Sequence, residues 1–459
     1  MRPRSLVLFT LLTFFTGISP VAALQPYSER VHEHLLANGL KVLLLEDHKA
    51  PVGVLQLWYR VGSRNERPGF TGLSHVLEHM MFKGTKKYGP EEYSRIIQRN
   101  GGNENAFTTE DSTTYFATLA SDRLETAIEL EADRMHNLAF AEDQFTPELQ
   151  VILEERRMRV ENSPASAMFE GLRSTAYAAH PYQWPVIGWM TDIEQTRRSD
   201  ALDYYRQYYQ PNNAVLIAVG DFESDKLLAV IEKHFGPIPR GPQPPLVRAI
   251  EPAQDGERRV VVKRPAELPY VAFAYHVPEI GSDDAYALEL AAAVLAGGKS
   301  ARLYEDLVYK RRLARSAAAD YDMLSIDPSL FYLYAQPFPG KKIPELEKAL
   351  DEHVDRLRRQ PVAAEELNRA RAGLESGFVL AQDSLFYQAM LLGQYETAGS
   401  WRALDEYLPR INAVTPDQIQ QAVQYHLRPE NRTVGVLDAQ PVVGGRPPVS
   451  DAPPAGMVR

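Results

Sequence analysis

The sequence predicts an α+β chain made of two similar halves, each an antiparallel-dominated sheet covered on one face by helices. Three observations predict it. Asn38-Gly39 between two apolar runs is a hairpin signal, which marks antiparallel pairing. A proline-dense stretch divides it: residues 235–245 read FGPIPRGPQPP, with five prolines in eleven residues, a density that resists both helix and sheet. A segment pattern recurs across that divide. Residues 204–221 read YYRQYYQPNNAVLIAVGD and residues 423–438 read VQYHLRPENRTVGVLD. Each is a helix end, a Pro-Asn break and a strand that closes near an aspartate. The two copies lie 218 positions apart (Asn213 to Asn431), about half the chain.

Composition bounds the function. The chain has 459 residues, 44% hydrophobic and 24% charged, which at about 100–200 residues per domain gives two or three domains. A formal charge of −10 argues against a protein that tracks nucleic-acid phosphates. The mean hydropathy of −0.32 and the lack of a later apolar run of spanning length exclude a polytopic membrane protein. There is no cysteine, so no disulfide framework, thiolate nucleophile or cysteine metal site. Any metal must rest on His, Asp or Glu.

Residues 1–23 carry Arg2 and Arg4, an apolar run from Leu6 to Ile18 and the small-residue end Val21-Ala22-Ala23. That three-part pattern is a secretory signal peptide, with no membrane span expected after its removal. The N-terminal domain is expected over 24–236. It opens with strands Val31 to Leu36 and Leu40 to Leu45 around Asn38-Gly39, a strong hairpin signal. Val52 to Val61, Thr113 to Leu119 and Asn213 to Gly220 read as further strands. Gly72 to Phe82, Glu91 to Gln98, Ser121 to Asn137 and Pro147 to Glu161 read as helices. A linker is expected over 237–258 and a second domain over 259–440. The second domain has strands Arg259 to Lys263 and Val271 to His276, and helices Asp284 to Ala296, Ile343 to Arg358 and Ala363 to Leu380. The Pro/Gly-rich end, 441–459, is expected to be a disordered tail.

The stretch that carries chemistry is Gly72-Leu-Ser-His75-Val-Leu-Glu78-His79-Met-Met-Phe82. His75 and His79 are four apart, so on a helix they project from one face, one turn apart. Two imidazoles so placed can grip one metal ion. Glu78 stands beside them and can take a proton from a water that the ion has acidified to a pKa of about 7. H-x-x-E-H is the inverzincin pattern. A catalytic zinc needs a third protein ligand. The richest downstream segment is Glu148-Leu-Gln-Val-Ile-Leu-Glu154-Glu155. Glu148 and Glu155 are two turns apart on one helix face, and Glu154 points about 100° away. One of the two acids on that face could ligate and the other could orient the site.

These residues give the sequence a resemblance to the pitrilysin family of zinc peptidases. The matching pieces are Asn38-Gly39-Leu40, GLSHVLEHMMFKGT (72–85), Gly101-Gly102 with Asn105-Ala106, VILEERRM (151–158), the 208–221 stretch and GGKSARLYEDL (297–307). They come in the right order over nearly the whole chain. The resemblance implies a zinc-dependent endopeptidase with one zinc per chain, held by His75, His79 and Glu155. Glu78 would be the general base and Glu148 the supporting acid. The 101–108 segment would be an edge strand that binds extended peptide substrates, with Asn105 and Ala106 as contacts.

One departure stands out. Active members carry in the second half an Arg and, seven residues on, a Tyr, which hold the substrate carbonyl. Here those positions read Val308 and Arg315. The resemblance therefore implies the zinc-bearing subunit of a heterodimer whose homologous partner supplies the pair. A homodimer using donors such as Tyr309, Arg311 or Arg312 is the other arrangement. With the signal segment, the expected compartment is a bacterial-type periplasm. A non-catalytic scaffold of the same fold is the alternative function, although it would have no use for Glu78. His180-Pro181-Tyr182 reads as a packing loop, Gly297 to Ser300 lacks the pattern of a phosphate loop, and Tyr204, Tyr205, Tyr208 and Tyr209 read as packing.

Overall fold

The structure, a computed structural model, describes residues 25–441. The signal segment and all but the first residue of the tail lie outside the described residues. The strands are β1 (Val31–Leu35), β2 (Lys41–Glu46), β3 (Val52–Tyr59), β4 (Asn103–Thr108), β5 (Thr113–Ala120), β6 (Ala214–Gly220), β7 (Arg258–Pro265), β8 (Tyr270–Val277), β9 (Ala314–Tyr321), β10 (Ser329–Pro337) and β11 (Arg432–Gln440). The helices that position the site are α1 (Leu73–Met80), α2 (Leu124–Asn137), α3 (Glu142–Arg156), α4 (Pro164–Ala176), α5 (Arg198–Tyr208), α6 (Asp283–Ala296), α7 (Ile343–Arg359), α8 (Leu385–Ala398) and α9 (Pro416–His426).

The strands form two sheets, ordered β1-β2-β6-β3-β5-β4 and β7-β11-β8-β10-β9. From β2 onward the two orders are the same. Each has one parallel pair, β2 with β6 and β7 with β11, and is otherwise antiparallel. The recurring segment lies at equivalent places: α5 and α9 each lead through a short Pro-Asn turn into β6 and β11. The two asparagines have the same role. Asn213 Nδ2 donates to Tyr208 O, five residues back, at 2.9 Å, and Asn431 Nδ2 donates to His426 O, also five back, at 2.7 Å. β9 and β10 are not among the strands expected from the sequence. β9 reads ARSAAADY, whose alanines have little strand preference, and pairing with β10 decides its conformation.

Each sheet has the helices of its own half on one face. α1 and α2 pack under the first sheet, with Val42, Leu44, Leu55 and Leu57 in that core. α6, α7 and α9 pack under the second, against Val271, Phe273 and Leu333. The structure adds a helix exchange. α8, from the second half, lies on the other face of β3 and β6, and α4, from the first, lies on the other face of β7, β8 and β11. This accounts for the fully buried runs of β6 and of most of β3, β8 and β10, since a sheet covered on both faces loses the apolar–polar alternation.

The α8 contact is tight. A Cβ at Gly393 would lie 2.0 Å from Cε2 of Trp58 on β3. Gly393→Ala is therefore expected to destabilise the fold by about 1–3 kcal/mol through overpacking, read as a lowered Tm. An unchanged Tm would mean that α8 does not seat on Trp58.

Candidate metal centre and active site

α1 is fixed at its start by Glu66, six residues before Gly72, and from behind by α5. Glu66, itself buried, accepts the N–H groups of Gly72 and Ser74, both at 2.7 Å, and so satisfies helix-end donors that would otherwise be unpaired. Gly72 has φ +90°, and a Cβ there would lie 2.6 Å from Ile187 O. The Ser74 hydroxyl meets Tyr204 OH at 2.9 Å, so the tyrosine-rich α5 packs behind the site rather than in it. The helix is a little shorter than expected, Leu73–Met80 rather than 72–82.

α3 begins at Glu142, earlier than Pro147, where the sequence suggested a start. Pro147 sits in its exposed second turn, where water can serve the carbonyl that proline leaves unpaired. The helix then carries Glu148 and Glu155 to α1. His79 Nδ1 donates to Glu148 Oε1 at 2.8 Å, and His79 Nε2 lies 3.3 Å from Glu155 Oε2. His75 Nε2 lies 3.6 Å from the same Glu155 oxygen. Glu154 points away, exposed and paired with Arg157. Its neighbour Arg156 is buried and ties α3 to Glu170 on α4 and to Gly188 O, which fixes the end of the helix that carries Glu155.

Near neutral pH two of the three donors, His75 and Glu155, are in the protonation state that a cation needs. Burial drives the His75 imidazolium pKa down to about 3, so the ring is neutral. Burial acts the same way on His79, but its hydrogen bonds to Glu148 and Glu155 outweigh it and lift that ring to about 9. Burial also works against Glu155 ionisation; the His79 hydrogen bond and the charges of Arg159 and His79 outweigh it and bring the group down to about 2. Glu148 is held below the usual carboxylate range, against its burial, by His79 and Lys83. Glu78 is pushed above that range, chiefly by burial, with the Thr108 hydrogen bond opposing.

Ligand atoms of His75, His79 and Glu155 all lie within 4.8 Å of one another. Two imidazoles and a carboxylate are a donor set of catalytic zinc sites. The arrangement fits the ion: both Nε2 atoms and one Glu155 oxygen face a common point, and the Glu148 contact keeps a proton on His79 Nδ1, so Nε2 is the atom that would give up its proton and ligate. His75 Nδ1 is buried without a hydrogen-bond partner among the described residues, so packing alone orients that ring.

The cluster opens on a cavity of about 1620 Å³ between the halves, lined by α1, α3, α4, β4 and the β9–β10 connection. β4 is an edge strand, paired with β5 alone. Asn105 is exposed on it and Ala106 half-buried, and both line the cavity. The other sequence candidates lie elsewhere. Val308 is half-buried against the core and Arg315 is exposed on β9; neither lines the cavity, nor do Tyr309, Arg311 or Arg312. His180 is buried, 3.1 Å from Asp327, and belongs to no metal group among the described residues. Residues 297–300 are exposed.

Two features escaped the sequence. The Thr108 hydroxyl donates to Glu78 Oε2 at 2.5 Å. A clasp also joins the halves at the cavity rim: buried Asp111 accepts Tyr182 OH at 2.7 Å and Ile326 N at 3.0 Å, and Arg64 bridges Asp111 and Asp327. Strand alternation puts Thr108 on the same face as Ala106, which was the available signal for the first. Nothing local signals the second.

Two family models match the chain: "Insulinase (Peptidase family M16)" over residues 41–188 and "Peptidase M16 inactive domain" over residues 197–374. The zinc protease PqqE of Helicobacter pylori is 34% identical over 436 residues, covering 94% of this chain and 98% of that protein. A crystal structure of a protease from Helicobacter pylori matches with a TM-score of 0.86 at 33% identity, over 89% of this chain and 99% of that one. The periplasmic protease PqqL of Escherichia coli shares the fold, with a TM-score of 0.76 at 18% identity. That match covers 91% of this chain and 48% of the longer one.

Proposed function

The chain belongs to peptidase family M16, the insulinase or pitrilysin family, and on that premise we propose that it is a zinc-dependent endopeptidase for peptides or short unfolded segments, acting as the zinc-bearing subunit of a two-subunit enzyme. One observation carries the catalytic reading. His75, His79 and Glu155 meet around one point beside Glu78, on the wall of a cavity bordered by an open edge strand. These three residues would hold one zinc ion per chain. Zinc bound there would polarise the scissile carbonyl and lower the pKa of water to about 7.

The chain's own residues do the rest. The Glu78 carboxylate takes a proton from the attacking water and gives it to the leaving amine nitrogen. Glu148 holds the His79 ring. β4 pairs its free backbone edge with an extended peptide, with Asn105 and Ala106 in contact, so affinity comes without strict sequence choice. Glu148→Ala is expected to weaken zinc binding about 10–100-fold, measured by competition with a chromophoric chelator. Unchanged affinity would remove Glu148 from the support of the site.

The two-subunit arrangement rests on the second-half positions that resemble the donor pair. Negative charge grows on the carbonyl oxygen during hydrolysis, and one aimed donor is commonly worth about 3 kcal/mol. The second-half positions that resemble the donor pair are Val308 and Arg315, away from the cavity. A homologous subunit carrying the pair supplies it; a second copy of this chain using other donors is the alternative. Export to the periplasm is supported by the 1–23 pattern. Among the described residues, no helix is long and apolar enough to cross a membrane.

The test is cleavage of a quenched fluorescent peptide by the zinc-loaded and the chelated chain, alone and with such a homologous subunit. Cleavage is expected to depend on zinc and to rise about 100-fold with the partner. Equal rates with and without the partner would contradict the two-subunit reading. No cleavage in any arm would favour a non-catalytic scaffold.

A further inference from the structure

The hydrogen bond that the described residues give Glu78 comes from Thr108, at 2.5 Å. Thr108 ends β4, the strand with the open edge. Both ends of β4 are anchored, the start by Gly101 N and Gly102 N, which donate to Gln98 O and Ile97 O at 2.9 and 3.0 Å. Its start follows Gly101, which is exposed, and Asn103 and Asn105 are exposed too. Its end runs into a turn with dense backbone anchoring. Thr109 N donates to Ser112 O at 2.8 Å, and the Thr109 hydroxyl accepts Asp111 N and Ser112 N at 3.1 and 3.0 Å. Ser63 N and Arg64 N donate to Thr109 O and Glu110 O at 3.2 and 2.9 Å. A Cβ at Gly62 would meet those same two oxygens at 2.4 Å, so the turn sits directly on the backbone of 62–64. Asp111 then locks it to Tyr182 and to Ile326 of the second half.

The strand thus offers a free margin to a peptide along its length and a rigid hydroxyl at its end. We infer that Thr108 is a positioning residue: its hydroxyl aims the Glu78 carboxylate, and through β4 it sets that carboxylate in register with the peptide laid on Asn105 and Ala106. The reach is physical. Glu78 has three side-chain torsions and is half-buried, so without a donor its carboxylate can adopt several rotamers. A displacement of about 1 Å at a reacting group can cost 10²-fold in rate. The role is orientation, distinct from zinc binding, because Thr108 lies outside the ligand group.

The inference rests on the peptidase reading. Its test uses the full chain, zinc-loaded, under the condition in which the wild type cleaves fastest. Thr108→Val keeps the β-branched shape and removes the donor, and Thr108→Ser keeps the donor. Thr108→Val is expected to lose kcat by about tenfold to 10²-fold, with KM and zinc content unchanged. Thr108→Ser is expected to stay within about threefold of wild type, because the hydrogen bond survives. A crystal structure of Thr108→Val is expected to show the Glu78 carboxylate turned away from its place. The inference is overturned if Thr108→Val keeps its kcat, if Thr108→Ser falls as far as Thr108→Val, or if Glu78 does not move. A wild type that cleaves nothing defeats the peptidase reading, and the position of Glu78 in the variant crystal still decides the inference.

Discussion

Glu78→Gln is expected to abolish peptide cleavage while leaving one zinc per chain. The amide is the size of the carboxylate and can still accept from Thr108, so α1 and the metal donors have no reason to move. What is lost is the ability to take a proton. General-base catalysis is commonly worth about 10²–10⁴ in rate, and kcat is expected to fall by that much with KM unchanged. Paired measurements of zinc content and kcat on the same sample check this. Activity near wild type would mean that another group removes the proton and that Glu78 is misassigned. Loss of zinc together with activity would mean that Glu78 is a ligand rather than a base.

Glu155→Ala is expected to remove zinc binding at ordinary concentrations. Glu155 Oε2 is the atom that both imidazole Nε2 atoms approach, at 3.3 and 3.6 Å. Without it two neutral donors remain, and the charge that balances a divalent cation is gone. The loss is expected to exceed the 10–100-fold set by a supporting residue. Stability provides a second reading. A ligand that binds only the folded state stabilises it by about 2.7 kcal/mol at one hundred times its Kd. Zinc is therefore expected to raise the Tm of the wild type and to leave Glu155→Ala unmoved. A zinc-dependent rise of equal size in the variant would place the third ligand elsewhere.

The site was legible in proportion to how local its parts are. His75, Glu78 and His79 share one helix, so spacing alone placed the imidazoles on one face. Glu148 and Glu155 were legible as a face of acids; the assignment of Glu155 as ligand came from the resemblance, and its Oε2 is the carboxylate oxygen near both imidazoles. Thr108 reaches Glu78 from a strand thirty residues on, so strand alternation gives its face but not its partner. The two-half architecture was legible because a Pro-Asn turn bonds back to its own helix, and Asn213 and Asn431 both do so. The exchange of α4 and α8 was not, because it is a matter of which face an apolar strand shows to which half. Its trace was the unbroken apolar run of β6, AVLIAVG.

The most direct test of the account is an anomalous difference map, collected at the zinc edge, from crystals of the zinc-loaded protein. The account predicts one peak per chain, bounded by His75 Nε2, His79 Nε2 and Glu155, with Glu78 close by and not ligating. A peak at any other cluster, or none at full zinc loading, would contradict it.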